Sequence, residues 1–143
     1  MPELPDLEYV RDRLRDELLS SGPRDLMEFR VRQPVVIRNL SGRPLEDLMA
    51  GCQLAGIQRV GPFLQFEFGQ ARLAVHPMLA GAFRLAERPQ MRALCVAFRF
   101  GEQSWLHVRG SNTEPVVRII AQGDSAAQLK EVLARARDAL KQV

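Results

Sequence analysis

Lysine is almost missing from this sequence. The 143 residues contain Lys130 and Lys141, and the first hundred contain none. Arginine supplies nearly all the positive charge, and a net +3 falls short of the excess expected of a dedicated phosphate-tracking surface. Cysteine is scarce too. Cys52 and Cys95 stand far apart and form no metal-spaced pair, so no metal site or cofactor is implied, and a reduced, cytoplasmic setting is the default. No apolar run approaches the ~20 residues of a transmembrane helix, which argues against a membrane partner. The N-terminus is acidic and polar, unlike a signal peptide. There is no internal repeat, no low-complexity segment and no linker rich in Pro, Gly or Ser. The length suits one domain with a real core and is too short for two full-sized ones.

The most informative stretch that is present opens the chain: Met1-Pro2-Glu3-Leu4-Pro5-Asp6-Leu7-Glu8. If Met1 is removed, Pro2 becomes a free secondary amine. An α-amino group titrates near pH ~8, well below the ~10.4 of lysine, so a useful fraction is neutral nucleophile at physiological pH. Glu3 stands beside it as a proton carrier. Such a pair can attack a sugar aldehyde carbon and form an iminium. The same residues also read as a helix start. Pro5 suits the first helical position, and Asp6 and Glu8 meet the positive end of the helix macrodipole. From residue 6 to about 19, Leu7, Val10, Leu14 and Leu18 recur at helical spacing with charged residues opposite, and Ser20-Ser21-Gly22-Pro23 stops the helix.

A β-rich region follows. Residues 26–31 and 35–38 read as strands broken at Pro34, 39–43 as a loop, and 44–50 as a short helical turn ended by Gly51. Residues 52–60, 63–68, 72–76, 83–86 and 93–100 read as further strands, separated by Gly61-Pro62, Gly69-Gln70 and residues 87–90. In residues 63–68 apolar side chains fall on both faces, which suits a doubly buried strand or one at an edge. The expected fold is α+β, an N-terminal helix packed on a β-sandwich.

The Met-Pro-Glu-Leu-Pro opening resembles the formamidopyrimidine-DNA glycosylase and endonuclease VIII family. The resemblance implies an N-terminal β-sandwich domain and damaged or abasic DNA as partner, with Pro2 attacking the sugar carbon and Glu3 assisting by proton transfer. The stretch from Gly51 to Phe68 is similar to the family's "G-x-x-I-x-x-V-x-R-x-G-K" region. There Pro62 stands in place of a lysine that contacts DNA phosphate. His76-Pro77-Met78-Leu79-Ala80-Gly81 resembles the family's His-led loop, which fills the gap left by a flipped-out base. By this likeness His76, Met78 and Leu79 are DNA-binding, with Met78 or Leu79 as the wedge, and Ala82 replaces a basic residue. A histidine at a strand end followed by apolar residues also reads as ordinary packing. The family grips DNA with a second, helical domain and usually a four-cysteine zinc finger. Neither pattern occurs here, so the chain alone is expected to be weak or inactive.

Residues 105–120 read as strand, polar turn and strand. Arg109 and Arg118 flank a turn of Gly110, Ser111, Asn112 and Thr113, a composition suited to an anion nest or to a plain hairpin turn. The glycine spacing and lysine of a Walker A loop are missing. The order Arg-Gly-Ser-Asn-Thr-Glu-Pro-Val-Val-Arg resembles the phosphate-binding loop of the α-D-phosphohexomutases. That likeness implies phosphate or phosphosugar contacts from Arg109, Gly110, Ser111, Asn112, Thr113 and Arg118. A C-terminal helix is expected from 125 to about 141, with Ser125 as N-cap and Leu129, Val132, Leu133, Ala136 and Leu140 on one face. The mutases' phosphoserine and metal-binding aspartates have no counterpart here. The expected division is 1–100 glycosylase-like and 101–143 mutase-like, or one merged domain in which 105–109 and 116–121 pair as a β-hairpin. Three readings stand: a glycosylase and AP-lyase-like domain, a phosphate-binding module, and a folded chimera without catalysis.

Overall fold

The computed structural model describes residues 4–33, 36–78, 81–87, 94–101, 104–110 and 118–123. Helix α1 runs Leu4–Leu18, close to the span that the leucine spacing predicts. Leu7, Leu14 and Leu18 are buried and Val10 packs against the same core. The helix ends where Gly22, at φ 96°, donates its N–H to the Leu19 carbonyl at 3.1 Å. Helix α2, Leu45–Met49, is the short turn expected between the strands and buries Leu48 and Met49.

Eleven strands are present among the described residues. They are β1 (Arg24–Asp25), β2 (Glu28–Val31), β3 (Ile37–Asn39), β4 (Gln53–Leu54), β5 (Gly56–Val60), β6 (Phe63–Glu67), β7 (Ala71–His76), β8 (Ala82–Ala86), β9 (Leu94–Gly101), β10 (Ser104–Arg109) and β11 (Arg118–Gly123). One sheet has the order β2-β9-β10-β8, a second β3-β11-β7-β6-β5, and β1 pairs with β4 alone. Every pairing is antiparallel except that of β11 with β3.

The two larger sheets meet across one apolar core. Strand alternation puts Leu64 and Phe66 of β6, and Ala71, Leu73 and Val75 of β7, on the inner face of the five-stranded sheet, all at 0 % exposure. Phe98 of β9 answers them from the other sheet. Its ring lies 6.1 Å from Phe66 and 5.8 Å from Phe68 across the core, and 5.1 Å from Phe29 on its own sheet. Helix α1 is fixed beside β5 by two side-chain bonds. Arg15 Nε donates to the Ile57 carbonyl at 2.7 Å, and Arg59 Nε to Glu8 Oε1 at 3.1 Å. The later helix residue meets the earlier strand residue, so helix and strand run in opposite directions.

Several expectations need correction. The hairpin of 105–109 with 116–121 does not form. Strand β10 lies between β9 and β8 in one sheet, and β11 between β7 and β3 in the other. Ile119 and Ala121 are needed on the inner face of the five-stranded sheet, where β11 pairs with β7 from Arg118↔His76 to Gly123↔Ala71. Residues 52–60 are two strands interrupted at Ala55, whose N–H donates to the Glu67 carbonyl at 2.8 Å. Strand β6 is neither at an edge nor fully buried on both faces. It is interior, with Phe63, Gln65 and Glu67 half-buried on its outer side. The expected C-terminal helix, 125–141, lies outside the described residues.

Candidate nucleic-acid interface

Register brings the chemically interesting side chains to one end of the sandwich. Strand β7 ends at His76, and the pairing Leu64↔Val75 places Phe63, the first residue of β6, beside it. Strand β11 begins at Arg118, opposite His76. The next strand, β8, belongs to the other sheet and begins at Ala82. Ala82 is paired with Arg109, the last residue of β10. Phe63, His76, Met78, Arg109 and Arg118 therefore share one end, although they come from four separate parts of the chain. The start of α1 points to this end as well, because Glu8 lies by Arg59 near the close of β5, next to the turn into Phe63.

His76 is on the outer face of its strand yet only 8 % exposed. The Phe63 ring packs edge-on against it at 5.3 Å. Its Nδ1 accepts the backbone N–H of Met78 at 2.9 Å, which requires an unprotonated Nδ1 and leaves the imidazole hydrogen on Nε2. Burial lowers the pKa of His76 below the ordinary histidine value, and the positive charge of Arg118 adds to the effect. Met78 has φ 58°, the left-handed region that costs a residue with a Cβ roughly 1–2 kcal/mol. The Gly81 N–H donates to the Pro77 carbonyl at 2.8 Å and closes the turn, with Met78 half-exposed.

Of the other residues picked out in the sequence, Arg109 is half-buried, Gly110 buried and Arg118 exposed. Pro2, Glu3, Leu79, Ser111, Asn112 and Thr113 lie outside the described residues. Phe63 was not foreseen as part of the site, because its place beside His76 follows from the β6–β7 register, which no local pattern reveals. Pro62, standing where the family has a lysine, is exposed in the two-residue turn between β5 and β6, after Gly61 at φ 58°.

A second polar cluster lies on the outer face of the four-stranded sheet. Glu28 accepts from Arg30 Nε at 2.6 Å and from Arg99 Nε at 3.2 Å. Both guanidinium groups sit over the Trp105 ring, at 5.0 and 6.0 Å from its centroid. The Arg30 hydrogen bond, aided by Arg99, holds the Glu28 carboxyl below its ordinary pKa. His107 follows on the same face at 0 % exposure, its pKa lowered by burial and then by Arg109 and Arg84. Among the described residues no group of three His, Cys, Asp or Glu side chains is placed to hold a metal ion. No described helix is long and apolar enough to cross a membrane.

The two histidines set an acid limit on stability. Each titrates lower in the fold than in the unfolded chain, so below about pH 6.5 the unfolded state binds more protons. Their contribution is complete above that pH and is lost as pH falls toward the folded values, at up to about 1.4 kcal/mol per pH unit for each histidine. Urea titrations at about pH 7.5 and about pH 5.5 check this. A lower midpoint at the acid condition is expected, and an unchanged one contradicts it.

Known proteins can now be set beside this geometry. The sequence signature of the "Formamidopyrimidine-DNA glycosylase N-terminal domain" matches residues 1–113. A formamidopyrimidine-DNA glycosylase of Thermus thermophilus is 35% identical over 97 residues, which is 67% of this chain and 33% of that protein. That of Thiobacillus denitrificans is 34% identical over 111 residues, 76% of this chain and 40% of that protein. This chain thus spans well under half the length of these relatives. Among solved structures, wild-type Lactococcus lactis Fpg in complex with DNA containing an oxidized pyrimidine superposes with a TM-score of 0.74 at 25% identity, covering 94% of this chain and 48% of that one. The same enzyme with abasic-site DNA gives 0.73 at 23% identity, again over 94% and 48%. With a signature match from the first residue through Thr113 and a mostly β fold with two helices, the chain belongs to the formamidopyrimidine-DNA glycosylase N-terminal domain family.

Proposed function

We propose that this chain is a DNA-repair domain that engages damaged or abasic DNA and reacts with an abasic sugar through the amine of Pro2. The observation that carries the reading is the convergence at one end of the sandwich of the α1 start, the His76–Met78 turn, Arg109 and Arg118. Pro2 lies two residues before α1 in the sequence, and the start of α1 is directed to this end. In the reaction the amine adds to the aldehyde carbon of the ring-opened sugar and water leaves, giving an iminium. Glu3 moves protons during the elimination that follows. Met78, with Leu79 beside it in sequence, fills the space left by an extruded base, and His76 faces the backbone. A cytoplasmic location suits such a repair role.

The loop from Arg109 to Arg118 is assigned here to DNA phosphate. Its first five residues fall inside the family match, and its two arginines flank the proposed DNA end, which favours a nucleic-acid phosphate over a phosphosugar. Residues 4–123 are read as one domain, since β9 passes the boundary expected at residue 100 and β10 and β11 each complete one sheet. The mutase-type reading survives only as the likeness of this loop.

Borohydride treatment of the processed protein with abasic duplex tests the proposal. A covalent adduct is expected, without strong sequence preference, and its absence overturns the reading. Titrating glucose phosphate against the amide signals tests the alternative. Shifts at Arg109, Gly110 and Arg118 with a phosphosugar but none with DNA would favour the mutase-type ligand.

A further inference from the structure

The left-handed backbone at Met78 has an identifiable support. A methionine has no intrinsic preference for φ 58°, and glycine is the residue that adopts it freely. The Met78 N–H is drawn to His76 Nδ1 at 2.9 Å, and the His76 ring is itself fixed by the edge of Phe63 and by its place opposite Arg118. The Gly81-to-Pro77 bond closes the turn but does not involve the Met78 amide. We propose that His76 is a positioning residue whose Nδ1 holds the Met78 amide and so keeps Met78 in the backbone conformation that presents it to a ligand. The role is distinct from any contact His76 makes to DNA, which would use its other nitrogen, Nε2. The consequence for DNA rests on the function proposed above, whereas the loop geometry does not.

Two amide substitutions separate the two nitrogens. Asn carries its Oδ1 on the same carbon position from which the ring carries Nδ1, so His76→Asn can still accept the Met78 N–H. Gln places its amide farther out, near Nε2, and His76→Gln cannot accept it with the same geometry. Amide hydrogen exchange at Met78, normalised to the intrinsic rate, should be nearly unchanged in His76→Asn. In His76→Gln it should be faster by about fivefold to tenfold, the equivalent of one net hydrogen bond. In the wild type, imidazole nitrogen shifts should show the hydrogen on Nε2. Affinity for duplex containing an abasic-site analogue should fall by about the same factor in His76→Gln, although its amide keeps a donor near the Nε2 position. Equal Met78 exchange in the two variants overturns the proposal, as does a wild-type imidazole protonated at Nδ1. A His76→Gln affinity equal to that of the wild type also overturns it, because the bond to the Met78 amide would then contribute nothing to presenting Met78. If the wild type fails to bind DNA at all, the DNA reading fails, and the exchange comparison still decides the positioning role.

Discussion

Acetylating the terminal amine of the processed protein should lower borohydride trapping of abasic DNA by about a hundredfold at pH 7. The magnitude follows from which amines the chain offers. Besides its terminus the protein has two primary amines, Lys130 and Lys141. At ordinary pKa values, about a tenth of α-amino groups but only about 0.04 % of lysine amines are neutral at pH 7. The terminus therefore outcompetes both lysines by about two orders of magnitude. Few proteins of this size give so clean a control, because the near absence of lysine removes the usual background of adventitious imines. Pro2→Gly leaves a primary amine and should retain part of the trapping. Glu3→Gln should leave iminium formation largely intact and slow strand cleavage, which separates amine addition from proton transfer. Equal trapping by blocked and free protein would transfer the chemistry to Lys130 or Lys141 and remove Pro2 from the mechanism.

Truncating Phe98 to alanine should cost about 3–5 kcal/mol, the range for fully buried aromatic deletions. Phe98 is 0 % exposed and touches rings from both sheets: Phe29 at 5.1 Å, Phe68 at 5.8 Å, Phe66 at 6.1 Å and Phe100 at 6.3 Å. No single neighbour can move into the space without breaking a contact that another depends on, so the cavity persists. Domains of this kind are stable by only about 5–15 kcal/mol, and the variant should be partly unfolded at physiological temperature. Urea denaturation of Phe98→Ala beside Tyr9→Ala checks it. Tyr9 is 63 % exposed on α1, and its loss should fall within about 0.5 kcal/mol of neutral. A Phe98 variant that loses less than about 1 kcal/mol would mean that the two sheets do not depend on this contact.

The sequence by itself determined what depends on near neighbours. The leucine spacing marks α1 to within two residues at its start. Gly61-Pro62 marks the turn between β5 and β6, whereas the apolar residues on both faces of 63–68 left open which side meets the core. Pro2 and Glu3 were readable as a candidate pair for the same reason, since they are adjacent in the sequence. Tertiary structure alone decided the rest. Residues 105–109 and 118–123 look like the two arms of a hairpin, yet they enter different sheets, and Ile119 and Ala121 are buried in the inner face between β7 and β3. His76 reads as a polar strand end, yet the Phe63 ring and the Met78 amide enclose it. Arg109 and Arg118 were grouped as neighbours along one loop, and they do reach one end of the sandwich, but from opposite sheets. A period of two or 3.6 residues records which face of an element is apolar. It carries no information about which distant strand will cover that face, and that choice is made by the summed burial of side chains far apart in the chain.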